Sequence, residues 1–196
     1  MKTPDILEVT LKVVKAFDNL GIEYYIGGSI ASSAYGVARS TLDVDMVANM
    51  NLDQGQALEE LLKKEFYVDI DTIIKAIAQH SSFNLIHLDT MLKIDVFIHR
   101  DQPFGNHVFK RREEKHVSED IPDKLYFPSP EDIILIKLDW YKSAEQSLSN
   151  QWNDVLGVLK VQGIKLDLDY LKMWAKELGV SELLERAFVD VGIAEN

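Results

Sequence analysis

A chain of 196 residues with 46% hydrophobic content can bury one core, or a core with an appended helical lobe. Its formal net charge of −11 excludes a broad basic surface for non-specific nucleic-acid binding, and the absence of cysteine excludes disulfides and thiolate chemistry. No run of eighteen apolar residues marks a transmembrane helix and MKTPDILEV lacks a signal-peptide core, so a cytoplasmic protein with no membrane contact is expected.

Residues 3–20 are expected to form a helix. Thr3 is placed to cap it, Pro4 takes the first helical position, and Asp5 suits the positive end of the helix dipole. Ile6, Val9, Val13, Phe17 and Leu20 keep a 3.6-residue period, and Gly21 closes it. Tyr24, Tyr25 and Ile26 then read as a strand entering a sharp turn at Gly27, Gly28 and Ser29. Ile30 to Tyr35 gives a short helix closed by Gly36. From Leu42 the chain alternates with period two: Leu42, Val44, Met46 and Ala48 share one face, and Asp43 and Asp45 share the other. The two carboxylates then stand roughly 7 Å apart along the strand. Like charges so placed call for a cation between them, and hard oxygen donors suit magnesium together with phosphate oxygens.

A second amphipathic helix is expected over 53–65, a short extended piece at Tyr67, Val68 and Asp69, and a helix capped by Asp71 and ending at Gln79. Phe83–Leu88 and Leu92–His99 read as an antiparallel hairpin turning at Asp89, Thr90 and Met91. Within the second of these strands Asp95 faces away from Ile94, Val96 and Ile98. Residues 100–127 are the least regular stretch. There Lys110, Arg111, Arg112 and Lys115 form either a solvated face offset by Glu113 and Glu114, or a landing surface for a polyanionic substrate. His99, His107 and His116 lack paired ligand spacing and read as surface or structural residues.

Ser129-Pro130-Glu131-Asp132 is a strong helix start, and the helix runs to about Ser143. Lys137 falls in the middle of its apolar stripe, with Asp132 and Asp139 on the opposite, solvent-facing side. A lysine so placed either snorkels to water or meets an anion. Beyond it, Leu148, Trp152, Val155, Leu156 and Leu159 make a stripe with Asp154 on its polar edge. Asp167 caps a helix bearing Tyr170, Leu171 and Trp174 and ended by Gly179, and Ser181 starts a last helix to about Val191. The tryptophans at 152 and 174 are expected to pack this helical part against the sheet.

Gly27-Gly28-Ser29 followed, about a dozen residues on, by Asp43-Val44-Asp45 on a strand resembles the signature of the nucleotidyltransferase (polymerase beta-like) superfamily. The resemblance implies that the Gly-Ser turn holds nucleotide phosphates, that Asp43 and Asp45 hold the metals, and that Asp95 is the third carboxylate. Asp95 would then bind a second metal or act as base. Arg39, just before the acidic strand, is placed either to reach the triphosphate or to make a surface salt bridge. Ser129-Pro130-Glu131-Asp132, Lys137 and the Trp152–Val155 segment resemble motifs of the AbiEii-like bacterial branch, which includes toxins of type IV toxin–antitoxin systems. This implies that Lys137 and Asp154 complete the site, with Lys137 on phosphate. The branch usually carries basic residues where this chain has Asn150 and Asn153, a departure that weakens the expectation of phosphate or RNA affinity there.

The expected fold is α+β: a nucleotidyltransferase core over 1–127, with a mixed sheet and helices on one side, and a helical lobe over 128–196. The expected function is Mg2+-dependent transfer of a nucleoside monophosphate from a nucleoside triphosphate to a hydroxyl of an RNA, such as a tRNA, or of a protein. An antitoxin protein is a candidate partner. The alternatives are a catalytically weak nucleotide-binding or regulatory protein that retains the fold, and an acidic interaction module.

Overall fold

The computed structural model describes residues 6–41, 43–118, 121–143 and 149–193. Two compact units emerge, one built from Met1–Gly28 and Thr41–Phe127, the other from Ser29–Ser40 and Pro128–Asn196. Helix α1 (Ile6–Leu20) buries Val9, Val13 and Phe17 at the spacing expected of one apolar face. The proposed caps Thr3, Pro4 and Asp5, like Leu42 and Leu148, lie outside the described residues. Strand β1 (Glu23–Ile26) leads into helix α2 (Gly28–Tyr35), and strand β2 (Asp43–Asn49) follows. Next come α3 (Leu52–Leu62), β3 (Phe66–Tyr67), α4 (Ile70–Gln79) and the strands β4 (Ser82–His87) and β5 (Lys93–Ile98).

The cap of α4 is Asp69 and not Asp71. Asp69 accepts from the Asp71 amide at 3.0 Å and from the Thr72 hydroxyl at 2.7 Å, while Asp71 already lies in the first turn. Asn51 caps α3 through a reciprocal box with Gln54, each accepting at 2.9 Å from the other's backbone amide.

The five strands order as β1-β2-β5-β4-β3. Only the β2–β5 pair is parallel, and β4–β5 is the expected antiparallel hairpin. The sheet is therefore mixed. Val44, Met46 and Ala48 of β2 and Ile94, Val96 and Ile98 of β5 are buried, and their alternating neighbours are not. Helix α3 contacts both α1 and α4, and α4 in turn lies on β4 and β5. Burial of this one face is what fixes the register, because a one-residue slip would turn the carboxylates inward.

Residues 100–127 are more regular than expected. Helix α5 (Pro103–Arg111) is followed by the antiparallel pair β6 (Glu113–Ser118) and β7 (Ile121–Phe127). Charge-dense segments such as EEKH and DK hide the strand alternation, and the pairing is set by tertiary contacts: Tyr126 meets Tyr24 edge-on with centroids 5.7 Å apart. Arg112 pairs with Glu23 at 2.8 Å and lies over the Phe109 and Tyr126 rings.

In the second unit, α6 (Pro130–Ser143) starts with Ser129 Oγ accepting from the Asp132 amide. α7 (Ser149–Gln162) is followed by a 3-10 turn at Gly163–Lys165. α8 (Leu168–Leu178) is capped by Asp167, and α9 (Ser181–Val191) ends the described chain. Asp132 is not on a solvent face. It is fully buried and accepts from the Tyr170 hydroxyl at 2.5 Å, so a partner on α8 brings inside a carboxylate that the helical wheel places outside. The tryptophan rings find helical partners: Trp152 lies 5.2 Å from Tyr141, carries the Arg186 guanidinium 4.6 Å over its face, and donates to Asp190 at 3.2 Å. Trp174 meets Tyr170 at 6.4 Å.

Asp139 is half-buried, and burial raises its pKa above the ordinary carboxylate value, with Lys142 opposing. A raised folded-state value means the charged form is penalised in the fold, so the penalty is present at neutral pH and vanishes once acid protonates the group. Asp139→Asn is therefore expected to raise the melting temperature at pH 7, with the gain disappearing near about pH 3. Paired thermal melts at the two pH values check this.

Candidate functional site

The parallel pairing of β2 with β5 aligns Asp43 with Lys93 and Asp45 with Asp95. Period-two alternation then puts Asp43, Asp45, Lys93 and Asp95 on one face, opposite the buried apolar rows. Adjacent strands lie about 4.8 Å apart, so the Asp45 and Asp95 backbones are near neighbours whose charges must be offset. Lys93 Nζ pairs with Asp95 Oδ2 at 2.8 Å. Asn84, aligned with Asp95 on the other side, donates its amide to Asp95 Oδ1 at 2.5 Å once that amide is oriented by its partners. The hydrogen bond to Asp95 raises the Lys93 pKa above the ordinary lysine value against the opposing effect of burial, and the fields of Asp95, Asp43 and Asp45 add to the rise. Among the described residues, no group of three or more His, Cys, Asp or Glu side chains is gathered as a metal-ligand set.

The glycine turn explains itself at Gly28. Its φ is +54°, and a Cβ there would lie 1.8 Å from Asp45 Oδ2. The Asp45 carboxylate thus presses directly on the first residue of α2, where the positive end of the helix dipole favours a negative charge. Gly27 N–H is held by Asp45 O at 2.8 Å, which fixes the turn to the acidic strand.

A second cluster lies within the helical unit. Lys137 is only 2% exposed, as its position in the apolar stripe implies, and Nζ donates to Asp154 Oδ2 at 2.9 Å. Asp154 is not on a polar edge: it is buried between Lys137 and Arg39, whose Nε meets Oδ1 at 3.0 Å. Arg39 Nη2 also hydrogen-bonds Ser29 Oγ. Two cations thus share one carboxylate, leaving net positive charge beside Ser29 near the start of α2. The tight joint here needs glycine: a Cβ on Gly36 would sit 2.8 Å from the Val158 backbone nitrogen of α7.

Lys93 and Asn84 are the members that sequence reasoning missed. The signal for Lys93 was present, since it precedes Asp95 by two residues and must share its face. Asn84 becomes visible only through the hairpin register. His99 proves structural, with Nε2 bonded to Asn106 Oδ1 at 2.8 Å and its ring 4.5 Å from Phe109. Lys110 and Arg112 line a pocket of about 360 Å3 with Glu23, Asn49, His99 and Asn106. This lies at the end of the β1–β2 pair remote from Asp43, since Glu23 aligns with Asn49.

Compared by sequence, the chain matches no protein-family model and no curated protein. Compared by shape, it is similar to the antibiotic-resistance factor ANT(2'')-Ia, with a TM-score of 0.56, 15% identity, and coverage of 93% of this chain and 99% of that one. That enzyme has also been solved in complex with adenylyl-2''-tobramycin. An antigenic nucleotidyltransferase-like protein from Paracoccidioides brasiliensis matches at TM-score 0.53 and 18% identity, over 88% of this chain and 90% of its own. The lincomycin-bound lincosamide adenylyltransferase LnuA matches at 0.50 and 13%, over 78% and 95%. The chain has the nucleotidyltransferase fold.

Lys137 and Asp154 form a buried pair whose members depend on each other, so a double-mutant cycle of Lys137→Met and Asp154→Asn is expected to show a coupling of about 1–3 kcal/mol. Urea unfolding of the four proteins measures it; additive effects would show that Arg39 alone satisfies Asp154.

Proposed function

We propose that this chain is a Mg2+-dependent nucleotidyltransferase that moves a nucleoside monophosphate from a nucleoside triphosphate to a hydroxyl acceptor. The observation that carries the reading is the register of β2 and β5, which sets Asp43, Asp45 and Asp95 on one face with Asp45 against the start of α2. The donor set fits the ion: magnesium takes one or two carboxylates, with waters and substrate phosphates filling the rest of its shell. Asp43 and Asp45 would hold it, and bound there it would neutralise charge on the phosphates and on the departing pyrophosphate.

The chain's own groups supply positioning. The Ser29 N–H, in the first turn of α2, is suited to a phosphate oxygen, the Gly27 N–H being held by Asp45 O. Arg39 adds a guanidinium and holds the Ser29 hydroxyl in place. Lys137 acts through Asp154, which it holds and which in turn holds Arg39. Asp95 completes the acidic face.

The acceptor class rests on weaker supports. The AbiEii-like resemblance over 129–155 favours an RNA or protein hydroxyl, a toxin role and an antitoxin partner. The likeness of fold to antibiotic adenylyltransferases favours a small hydroxylated molecule. A net charge of −11, with Asn150 and Asn153 at the usually basic positions, weighs against a polyanionic acceptor. Incubation with labelled nucleotides and either tRNA, protein extract or tobramycin distinguishes the three.

Asp45→Asn is expected to abolish magnesium-dependent nucleotide binding while leaving a cooperative melt. Titration calorimetry with each of the four magnesium–nucleoside triphosphates checks this, and unchanged affinity in the variant would exclude the carboxylate pair as the metal site.

A further inference from the structure

At the end of β1 remote from Asp43, the turn between α1 and β1 borders a pocket of about 240 Å3. Asp18, Glu23, Tyr24, Arg112 and Tyr126 line it, and all five belong to the first unit. Tyr24 is 2% exposed, and among the described residues its hydroxyl meets no hydrogen-bond partner. A polar group buried in this way is costly unless something completes it. The hydroxyl is the end of the ring that stands at the pocket. Burial raises its pKa above the ordinary tyrosine value, and after burial the charge of Asp18, on the pocket wall, adds most to the rise. The Tyr126 backbone opposes that rise without closing a hydrogen bond.

The charges around the hydroxyl select the ligand. Arg112 directs Nη2 to Glu23 at 2.8 Å and Nη1 to the Phe109 carbonyl, and its guanidinium lies over the Phe109 and Tyr126 rings. Two acids and one base then leave one net negative charge along the pocket wall, which disfavours an anion and favours a cation. A neutral phenol oxygen accepts as well as donates, and the Tyr24 and Tyr126 rings offer apolar walls to a short carbon stem. We propose that this pocket binds a small primary amine as its ammonium, held by the Asp18 and Glu23 carboxylates and the Tyr24 hydroxyl oxygen. An ammonium carries three donors, one for each of these oxygen-bearing groups. The site is separate from the acidic face of β2 and β5 and does not rest on the nucleotidyl-transfer reading.

The test uses n-butylammonium, with n-butanol as its uncharged match in size. Each is titrated into the full chain at physiological ionic strength, which screens the diffuse attraction of an acidic surface, and is followed by amide NMR. Saturable shifts are expected at Gly21, Ile22 and Glu23 with the amine and not with the alcohol. Asp18→Asn and Tyr24→Phe are each expected to weaken amine binding about tenfold, the scale of a charge-assisted hydrogen bond. Without amine, Tyr24→Phe is also expected to melt no lower than the parent, since it deletes a hydroxyl that the fold leaves unpartnered. Equal shifts with the alcohol, no saturation at the turn, or unchanged affinity in either variant would overturn the inference. So would a lower melting temperature for Tyr24→Phe, because the fold itself would then be satisfying the hydroxyl.

Discussion

Everything at the candidate site depends on the parallel register between β2 and β5. That register makes neighbours of Asp45 and Asp95 on strands about 4.8 Å apart, a placement that isolated carboxylates would resist. The sheet tolerates it because each acid is met by a compensating group: the start of α2 at Asp45, Lys93 and Asn84 at Asp95. The apolar rows on the opposite face, Val44 and Met46 with Ile94 and Val96, are what hold the register. Hydrophobic burial on one side of the sheet thus holds unfavourable charge together on the other.

The helical unit solves a similar problem by a different route. A buried lysine alone would lose its charge or destabilise the fold, yet Lys137 is almost fully buried. Asp154 answers it, and Arg39 then answers Asp154 and reaches Ser29. Such pairs contribute little net stability once desolvation is counted, and their value is more often geometric. Here the geometry fixed is that of the Arg39 guanidinium and the Ser29 hydroxyl, both beside the start of α2.

Much of this was legible in the sequence because the informative residues obey short periods. Alternation from Asp43 to Ala48 and from Lys93 to Ile98 gave both strands and their polar faces, and Lys137 was placed inward by helical spacing alone. The failures came where a long-range partner overrode a local rule. Asp132 and Asp154 look like solvent-facing acids on a helical wheel, and Tyr170, Lys137 and Arg39, distant in sequence, meet them inside. The β6–β7 pair was hidden for the same reason, since its charged residues carry no alternating apolar signal. Lys93 escaped notice although its parity with Asp95 was available; without the register, nothing marks a lysine beside an acid as part of a site.

The central claim is that the face bearing Asp43 and Asp45, next to the Gly27-Gly28 turn, receives a metal-bound triphosphate. A crystal grown with Mn2+ and a non-transferable nucleoside triphosphate, with anomalous diffraction recorded at the manganese edge, tests it most directly. The account predicts an anomalous peak about 2.0–2.3 Å from Asp43 and Asp45 carboxylate oxygens, with phosphate oxygens at the start of α2. A peak bound elsewhere on the chain, or a nucleotide seated away from that turn, would contradict it.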